Sequence, residues 1–548
     1  MKKAFLFAVL SGIMLGVSWF PPFTPMIFIS WIPLLYAVHR IHNADLKRKA
    51  GKIFLLSYST FLIWNVITTW WTWYASPGGG VAAILANSLL MSISFLFFSF
   101  LFSKLESISH YKLFQSPYWL LIPVWISFEY LHSEWELAWT WLSLGNVLAY
   151  IHPCIQWYAF TGTAGGTLWI LSINIIIFNF LIEMSKKSRD RKRKKYLLFL
   201  VITIIFPIAI SLFIFYEEPL HKEKSSKDKK DTMRTLVVQP NIDPYNEKFI
   251  VSYESQLQST WQSFKNKLNS STDVVLLPET FLTENILEND LQNSYSIAFI
   301  RDTILKKFPQ LALISGANTF YNFNKNETPS PTAHPFSDGK GSYDIFNTAI
   351  QVNNSSVIQL YHKSKLVPAV ERMPYPSLLK PLEKLTINLG GTFGSLGTQS
   401  ERSLFYNEDS SIRIAPVICY ESLFGNFVNE YVRKGANVIF ILTNDGWWSD
   451  SPGKFQHLNY ARLRAIETGR WVARSANTGV SCIIDPKGNF SQTLPSWESG
   501  CLTSSIPLTS DRTIFSCLGD VTSIISSCLT AFLVLAILIA ILKRKLHK

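Results

Sequence analysis

Charge is what this chain has least of. Only 16% of its 548 residues are Asp, Glu, Lys or Arg, while 48% are hydrophobic and 14% aromatic. That balance argues against an ordinary soluble protein and suits one partly solvated by lipid. Acidic residues are the scarcer sign, 38 against 51 basic ones, for a formal net charge of +13. The basic residues stand beside apolar runs rather than on one polar domain, which favours a membrane over nucleic acid as the reason for them. Cysteine is also sparse. None of the six (Cys154, Cys419, Cys482, Cys501, Cys517, Cys528) has metal-ligand spacing or forms a C-x-x-C. The histidines of the polar region, His334, His362 and His457, are scattered, so metal catalysis has little support and no cofactor is expected. There is no internal repeat and no domain-sized low-complexity block. Met1-Lys2-Lys3 followed by an apolar run imitates a signal peptide. No small-residue cleavage site follows, so the run reads as an uncleaved first helix.

Apolar runs occur at residues 4–20, 25–38, 53–73, 81–102, 118–131, 167–184, 196–216 and 521–542. A bilayer core requires about 20 apolar residues per helix, and the second and fifth runs are short by that measure. Eight spans put every basic cluster on one side. These are Lys2 and Lys3, then Arg40 to Lys52, then Lys104 and Lys112, then the run 186–195, and finally Lys543 to Lys548. By the positive-inside rule both termini are then cytoplasmic, and the large polar domain lies outside the cytoplasm. Trp70, Trp71, Trp73, Tyr74, Trp135, Trp139 and Trp141 fall where an outer interfacial belt would be. Glu129 ends the fifth run. An ionisable group there is a functional candidate, with a structural ion pair or hydrogen bond as the plain reading beside it.

The expected organisation is a seven-span region over 1–216, a charged linker over 217–232, a catalytic domain over 233–507, and a last span with a basic tail over 508–548. In the third segment short apolar runs at 234–238, 274–277, 311–315, 349–352, 357–360, 412–418, 438–442 and 479–484 alternate with helix-like stretches at 247–269, 294–308 and 456–469. Such alternation predicts a layered α/β domain. Residues 322–341, rich in Pro, Asn and Ser, read as a surface loop. Cys482 and Cys501 could pair if the domain faces an oxidising compartment.

Three chemically complementary residues each follow a strand-like run. Glu279 follows Val274-Val-Leu-Leu-Pro278, Lys363 follows residues 356–361, and Cys419 follows Ile414-Ala-Pro-Val-Ile418. Each alone has a plain reading: a helix N-terminal carboxylate, a solvated loop lysine, a small buried hydrophobe. Together they allow covalent acyl transfer. The thiolate attacks a carbonyl, the carboxylate takes the thiol proton, and the ammonium with the backbone N–H of Tyr420 holds the oxyanion. The resulting thioester can pass its acyl group to water or to an amine.

The segments VVLLPETF (274–281), YHKSKLVPAVE (361–371), APVICYESLFG (415–425) and ILTNDGWWSDS (441–451) resemble the nitrilase superfamily, whose Glu, Lys and Cys occur in that order. Residues 456–488 fit it as well. With the spans, and AWTWLSLGNVL at 138–148, nearly the whole chain resembles the apolipoprotein N-acyltransferase family. The resemblance implies a membrane helical bundle carrying an αββα sandwich, in a multi-pass protein of the bacterial inner membrane whose catalytic domain is periplasmic. It implies Glu279 as base, Lys363 as oxyanion partner and Cys419 as nucleophile, with Glu371, Tyr420 and Glu421 as supports. The implied donor is a phospholipid and the implied acceptor a diacylglyceryl apolipoprotein, handled by a monomer with no nucleic-acid partner. One alternative is a membrane-anchored amidase that uses water as acceptor. Another, from a different class, is a transporter or lipid-binding protein with an inactive domain, against which the intact Glu, Lys and Cys argue.

Overall fold

The computed structural model describes residues 1–108, 116–185, 190–217, 232–368, 370–375 and 396–546. The expected linker at 217–232 lies almost wholly outside the described residues, as do Lys112, residues 186–189 of the basic run and the last two residues. The chain divides into two compact units. One comprises Met1–Trp70, Gly80–Glu217 and Leu518–Lys548, and the other Trp71–Gly79 and Glu218–Cys517.

The first unit is helical. Among the described residues six segments are long and apolar enough to cross a bilayer: Thr24–Asn43, Lys49–Thr69, Pro77–Leu105, Tyr158–Ser185, Lys192–Tyr216 and Val521–Lys543. The runs at 4–20 and 118–131 form helices of 16 and 14 residues, Lys2–Val17 and Leu121–Glu134, below the length of about 20 that a span requires. Only 6% of the apolar window of Lys192–Tyr216 is buried, which in water would be untenable for a segment of mean hydropathy 3.0. Where helices do pack, small and polar residues hold them. A Cβ at Gly12 would lie 2.6 Å from the Thr60 carbonyl oxygen, and the Thr60 hydroxyl donates to the Ala8 carbonyl at 2.9 Å. Glu129 is a hydrogen-bond hub here. It accepts from the Trp125 indole at 3.0 Å, the Leu144 N–H at 2.7 Å and the Thr167 hydroxyl at 2.7 Å.

In the second unit the described residues form two sheets. The first contains β1 (Thr232–Gln239), β2 (Val274–Leu276), β3 (Leu282–Leu287), β4 (Ala312–Asn322), β5 (His334–Pro335), β6 (Ser342–Val352), β7 (Gln359–His362) and the last strand, β14 (Gly500–Pro507). The second contains β8 (Phe405–Tyr406), β9 (Arg413–Ile418), β10 (Val438–Thr443), β11 (Val472–Ala476), β12 (Ser481–Ile484) and β13 (Phe490–Leu494). The first sheet runs β14-β1-β2-β4-β6-β5, with β3 on β4 and β7 on β6; the second runs β13-β12-β11-β10-β9-β8. The central strands β1, β2 and β4 are parallel to one another, as are β9, β10 and β11. Parallel strands are buried on both faces, which is why β10 reads as the unbroken apolar run Val438-Ile-Phe-Ile-Leu442.

One face of the first sheet packs against helices. Leu236, Val238, Val275 and Leu313 meet Leu257, Trp261 and Phe264 of the helix Tyr253–Phe264, together with Ile297, Ile300 and Ile304. The opposite face meets the second sheet, where the Ser475 hydroxyl of β11 donates to the Val238 carbonyl of β1 at 2.7 Å. Helices Gly425–Arg433 and Pro452–Thr468 pack on the second sheet. The helix expected from residue 247 starts at Tyr253, because Ser252 caps it through the Ser255 N–H. All six cysteines are free thiols. Cys482, in β12, and Cys501, in β14, do not pair.

Candidate active site

Glu279, Lys363 and Cys419 follow the C-terminal ends of β2, β7 and β9. The first two strands belong to one sheet and the third to the other, so the cluster forms in the second unit where the sheets face each other. Two tight turns present it. Cys419 has φ +49° and Thr280, next to Glu279, has φ +45°. Both conformations are unfavourable for residues with a Cβ, at about 1–3 kcal/mol each, and persist only where the surroundings impose them. Gly316 of β4 makes the Glu279 turn possible. A Cβ there would lie 2.3 Å from the Thr280 nitrogen and 2.5 Å from the Glu279 Cα.

The Lys363 ammonium donates to Glu279 Oε1 at 2.9 Å and to Glu371 Oε1 at 2.7 Å, and Lys363 itself is 1% exposed. Asn347 of β6 donates through Nδ2 to Glu279 Oε1 at 2.8 Å and to Glu371 Oε1 at 3.3 Å. Burial alone would discharge this lysine, but Glu279 and Glu371 outweigh it and hold the ammonium well above its usual range. Burial also works against the Glu279 carboxylate. The charge and hydrogen bond of Lys363, with Asn347, reverse that and hold Glu279 below its ordinary value. Cys419 is different. Burial, reinforced by the Glu279 charge, pushes its thiol well up, and Lys363 and a Thr443 hydrogen bond offset this only in part. The resting cluster is therefore a carboxylate, an ammonium and a protonated thiol.

Glu421, expected as a support, ties the two sheets at this point. One oxygen accepts from the Tyr361 hydroxyl at 2.6 Å and the Ser364 N–H at 2.7 Å, and the other accepts the Ile418 N–H at 2.8 Å. Burial pushes Glu421 up to about 7 against the pull of these donors. Glu371 anchors its own loop by accepting the Val367 N–H at 2.8 Å. Tyr420 is buried, with its ring edge-on to Phe424 at 5.2 Å. All six residues expected from the sequence are thus in or beside one buried cluster.

Other residues at this cluster escaped the sequence reading. Ser422 donates to the Cys419 carbonyl at 2.7 Å and meets His457 Nε2 at 2.9 Å. His457 Nδ1 lies 3.0 Å from Asp445, whose other oxygen accepts from Arg474 at 2.6 Å. Asp445, His457 and Arg474 are fully buried, and Arg474, then His457, outweigh burial to hold the Asp445 carboxyl far below its usual range. Arg464 donates to the Ser422 and Leu423 carbonyls at 3.1 and 2.8 Å. The turn that holds the thiol is thus clamped from below by charged groups of β11 and the helix Pro452–Thr468. Lys248 is the remaining addition. It is 5% exposed, its ammonium donates to the Thr280 hydroxyl, and it lines a pocket with Glu279, Thr280 and Asn477. The family-like segments at 415–425, 441–451 and 456–488 contain Ser422, Asp445, His457, Arg464 and Arg474, but nothing in them assigns these residues a role, and Lys248 lies outside them. Among the described residues no three His, Cys, Asp or Glu side chains are grouped to hold a metal.

A sheet-rich α/β core with a thiol, a carboxylate and an ammonium gathered at strand ends defines a nitrilase-like domain. The chain belongs to the carbon-nitrogen hydrolase family, which matches residues 237–513. Residues 11–176 match the apolipoprotein N-acyltransferase N-terminal domain. Curated relatives named apolipoprotein N-acyltransferase are similar from end to end. That of Chlorobaculum tepidum is 27% identical over 99% of this chain and 98% of its own, and that of Haemophilus influenzae 26% over 99% and 96%. The enzyme of Rickettsia prowazekii is 26% identical over 96% of this chain and 97% of its own. Among solved structures, Nit3 of Saccharomyces cerevisiae, a nitrilase superfamily member, covers 51% of this chain and 91% of its own at 14% identity, with TM-score 0.36.

Proposed function

We propose that this protein transfers an acyl chain from a phospholipid to the α-amino group of a lipoprotein's N-terminal S-diacylglyceryl-cysteine, through a thioester on Cys419. The observation that carries this reading is the pairing of the Glu279, Lys363 and Cys419 cluster with end-to-end similarity to apolipoprotein N-acyltransferases, apolar helical region included. Both substrates would be lipids, so the helices would keep the site at a membrane surface.

In the first half-reaction the Cys419 sulfur attacks the ester carbonyl carbon. The S–H proton passes to Glu279 and the carbonyl oxygen takes the negative charge beside Lys363. Collapse breaks the ester C–O bond, and the leaving lysophospholipid alcohol takes its proton from Glu279. In the second half-reaction the neutral amine attacks the thioester carbonyl and gives a proton to Glu279. The C–S bond then breaks, the amide leaves, and the proton returns to sulfur. Transfer in two halves gives ping-pong kinetics. Because the thiol is protonated at rest, the nucleophile arises only as the proton moves, which limits side reactions with water-borne electrophiles.

The same reading keeps the eight-span arrangement: a seven-span region over 1–216, the linker 217–232, the catalytic domain 233–507, and a last span with a basic cytoplasmic tail over 508–548. It sets the protein in a bacterial inner membrane as a monomer, with both termini cytoplasmic, the catalytic domain periplasmic and no nucleic-acid partner. The test is mass spectrometry of a lipoprotein N-terminus made with and without this protein. A third acyl chain present only with the protein is the expected result. An unchanged N-terminus overturns the reading, and fatty acid released to water instead identifies a hydrolase with water as acceptor.

A further inference from the structure

Lys248 is a buried cation that forms no ion pair among the described residues. Its backbone is fixed on both sides, since its N–H donates to the Asp243 carbonyl at 2.9 Å and the Gln256 amide donates to its carbonyl at 2.8 Å. Neighbouring Tyr245, Phe249, Ile250 and Val251 are exposed, whereas Lys248 turns inward. Its ammonium donates to the Thr280 hydroxyl and lies 5.8 and 5.7 Å from the ring centres of Phe249 and Trp447. Among the described residues no carboxylate stands within ion-pair distance of it. The charged and titratable groups that act on it are Glu279, after β2, and Cys419, after β9.

Burying an ammonium on a single hydroxyl and two ring faces is unfavourable, and a methionine would fill the same space without that penalty. The charge balance of the cluster gives the cation a use. Lys363 is shared between two carboxylates, so it neutralises only one of them. Ionising Cys419 beside that pair would add a second uncompensated negative charge. We propose that Lys248 is a positioning residue of the reaction centre, a second ammonium whose field stabilises the negative charge as it moves from Glu279 to the Cys419 sulfur. The inference rests on reading Glu279, Lys363 and Cys419 as that centre. Burial lowers Lys248 to about 8 despite Glu279 and Cys419, so the cation is present at neutral pH and lost just above it.

The test is the rate at which iodoacetamide alkylates Cys419 in the full-length protein in detergent. It is followed by mass spectrometry, with the exposed Cys517 as internal reference. One pKa unit on a thiol changes its thiolate fraction tenfold. Lys248→Met is expected to slow Cys419 labelling about tenfold at neutral pH, with Lys248→Arg within about threefold of the unmodified protein. Equal rates for Lys248→Met and the unmodified protein overturn the proposal. The unmodified protein offers a second readout that needs no variant. Below pH 8 labelling should climb about tenfold per pH unit. Above it the climb should flatten as Lys248 discharges, because Lys363 stays charged, Glu279 and Asp445 stay ionised, and Glu421, pushed up to about 7, has already ionised. A climb of constant slope through pH 9.5 overturns the proposal even if the variants do not fold. Labelling requires no acyl donor, so this result and the acyl-transfer reading fail independently.

Discussion

The Glu421 carboxylate accepts the Ser364 N–H at 2.7 Å with one oxygen and the Ile418 N–H at 2.8 Å with the other. Ser364 follows Lys363 and Ile418 precedes Cys419. One buried side chain therefore sets the spacing between a cation on one sheet and a thiol on the other.

Glu421→Gln preserves the shape but gives one of the two N–H groups an amide NH₂ to face. A lost hydrogen bond at a buried donor costs about 1–3 kcal/mol. A displacement of the thiol by ~1 Å costs about 10²-fold in rate. The variant is expected to fold with a lower unfolding midpoint and to lose about a hundredfold in acyl transfer. Activity within threefold of the unmodified protein would show that the spacing is set elsewhere.

Lys363→Met leaves the buried Glu279 and the half-buried Glu371 without the ammonium they share, with only the more distant Lys248 still acting on Glu279. Removing one partner of a buried pair destabilises by roughly 3–5 kcal/mol. The sign with pH follows from Glu279, which is held below its ordinary 4.5 in the folded protein. Its contribution is present above pH 4.5 and lost as pH falls through the lowered value. Lys363 is raised above 10.5, so its contribution is present below that pH and lost as pH rises through the raised value. The stability deficit of Lys363→Met should therefore be largest at neutral pH and shrink below pH 4.5. Denaturant midpoints measured from pH 7 to 3.5 check this, and a constant deficit would contradict it.

The parts of this cluster visible in the sequence are those that follow apolar strands. Glu279 and Cys419 follow strands that are buried almost throughout, and Lys363 follows a half-buried one, so the apolar pattern marks all three. β11 was invisible for the opposite reason. Its Val-Ala-Arg-Ser-Ala sequence looks polar, yet every residue is buried, because Arg474 finds Asp445 and the Val480 carbonyl, at 2.6 Å each. A buried charge can be recognised only with its partner, and the Asp445 partner is distant in sequence. β14 was missed because its Leu-Thr-Ser-Ser stretch is half-exposed, although it pairs with β1 along eight residues. Lys248 lies in a polar turn that resembles a helix start, and nothing local says that it faces inward. In the helical unit the runs were plain, but their lengths were not: the short run at 25–38 extends to the span-length Thr24–Asn43, whereas those at 4–20 and 118–131 form helices too short to cross a bilayer by length alone.

Gly316→Ala tests how closely the Glu279 turn is held. The added methyl would overlap the Thr280 nitrogen and the Glu279 Cα, both backbone atoms that cannot rotate away. Overpacking of this kind costs about 1–3 kcal/mol, and the turn must move by ~1 Å, enough for a loss of about 10²-fold in kcat. Thermal unfolding and acyl-transfer rates measured on the same preparation check both. Unchanged kcat would mean that Glu279 tolerates displacement and is not the base.

Cys419→Ala addresses the thioester itself. The side chain is small and at a strand end, so truncation is expected to cost about 1 kcal/mol and leave the protein folded. Incubated with radiolabelled phospholipid and no acceptor, the unmodified protein should retain label that neutral hydroxylamine releases, because a thioester is aminolysed under conditions where an oxyester survives. The alanine variant should retain none and should transfer acyl chains at least ~10³-fold more slowly. Cys419→Ser sharpens the result. Any acyl group it captures would be an oxyester, resistant to neutral hydroxylamine, and turnover should stall because an alkoxide is a poorer leaving group than a thiolate. Hydroxylamine-labile label on Cys419→Ala would place the acyl group on another cysteine and remove Cys419 from the reaction.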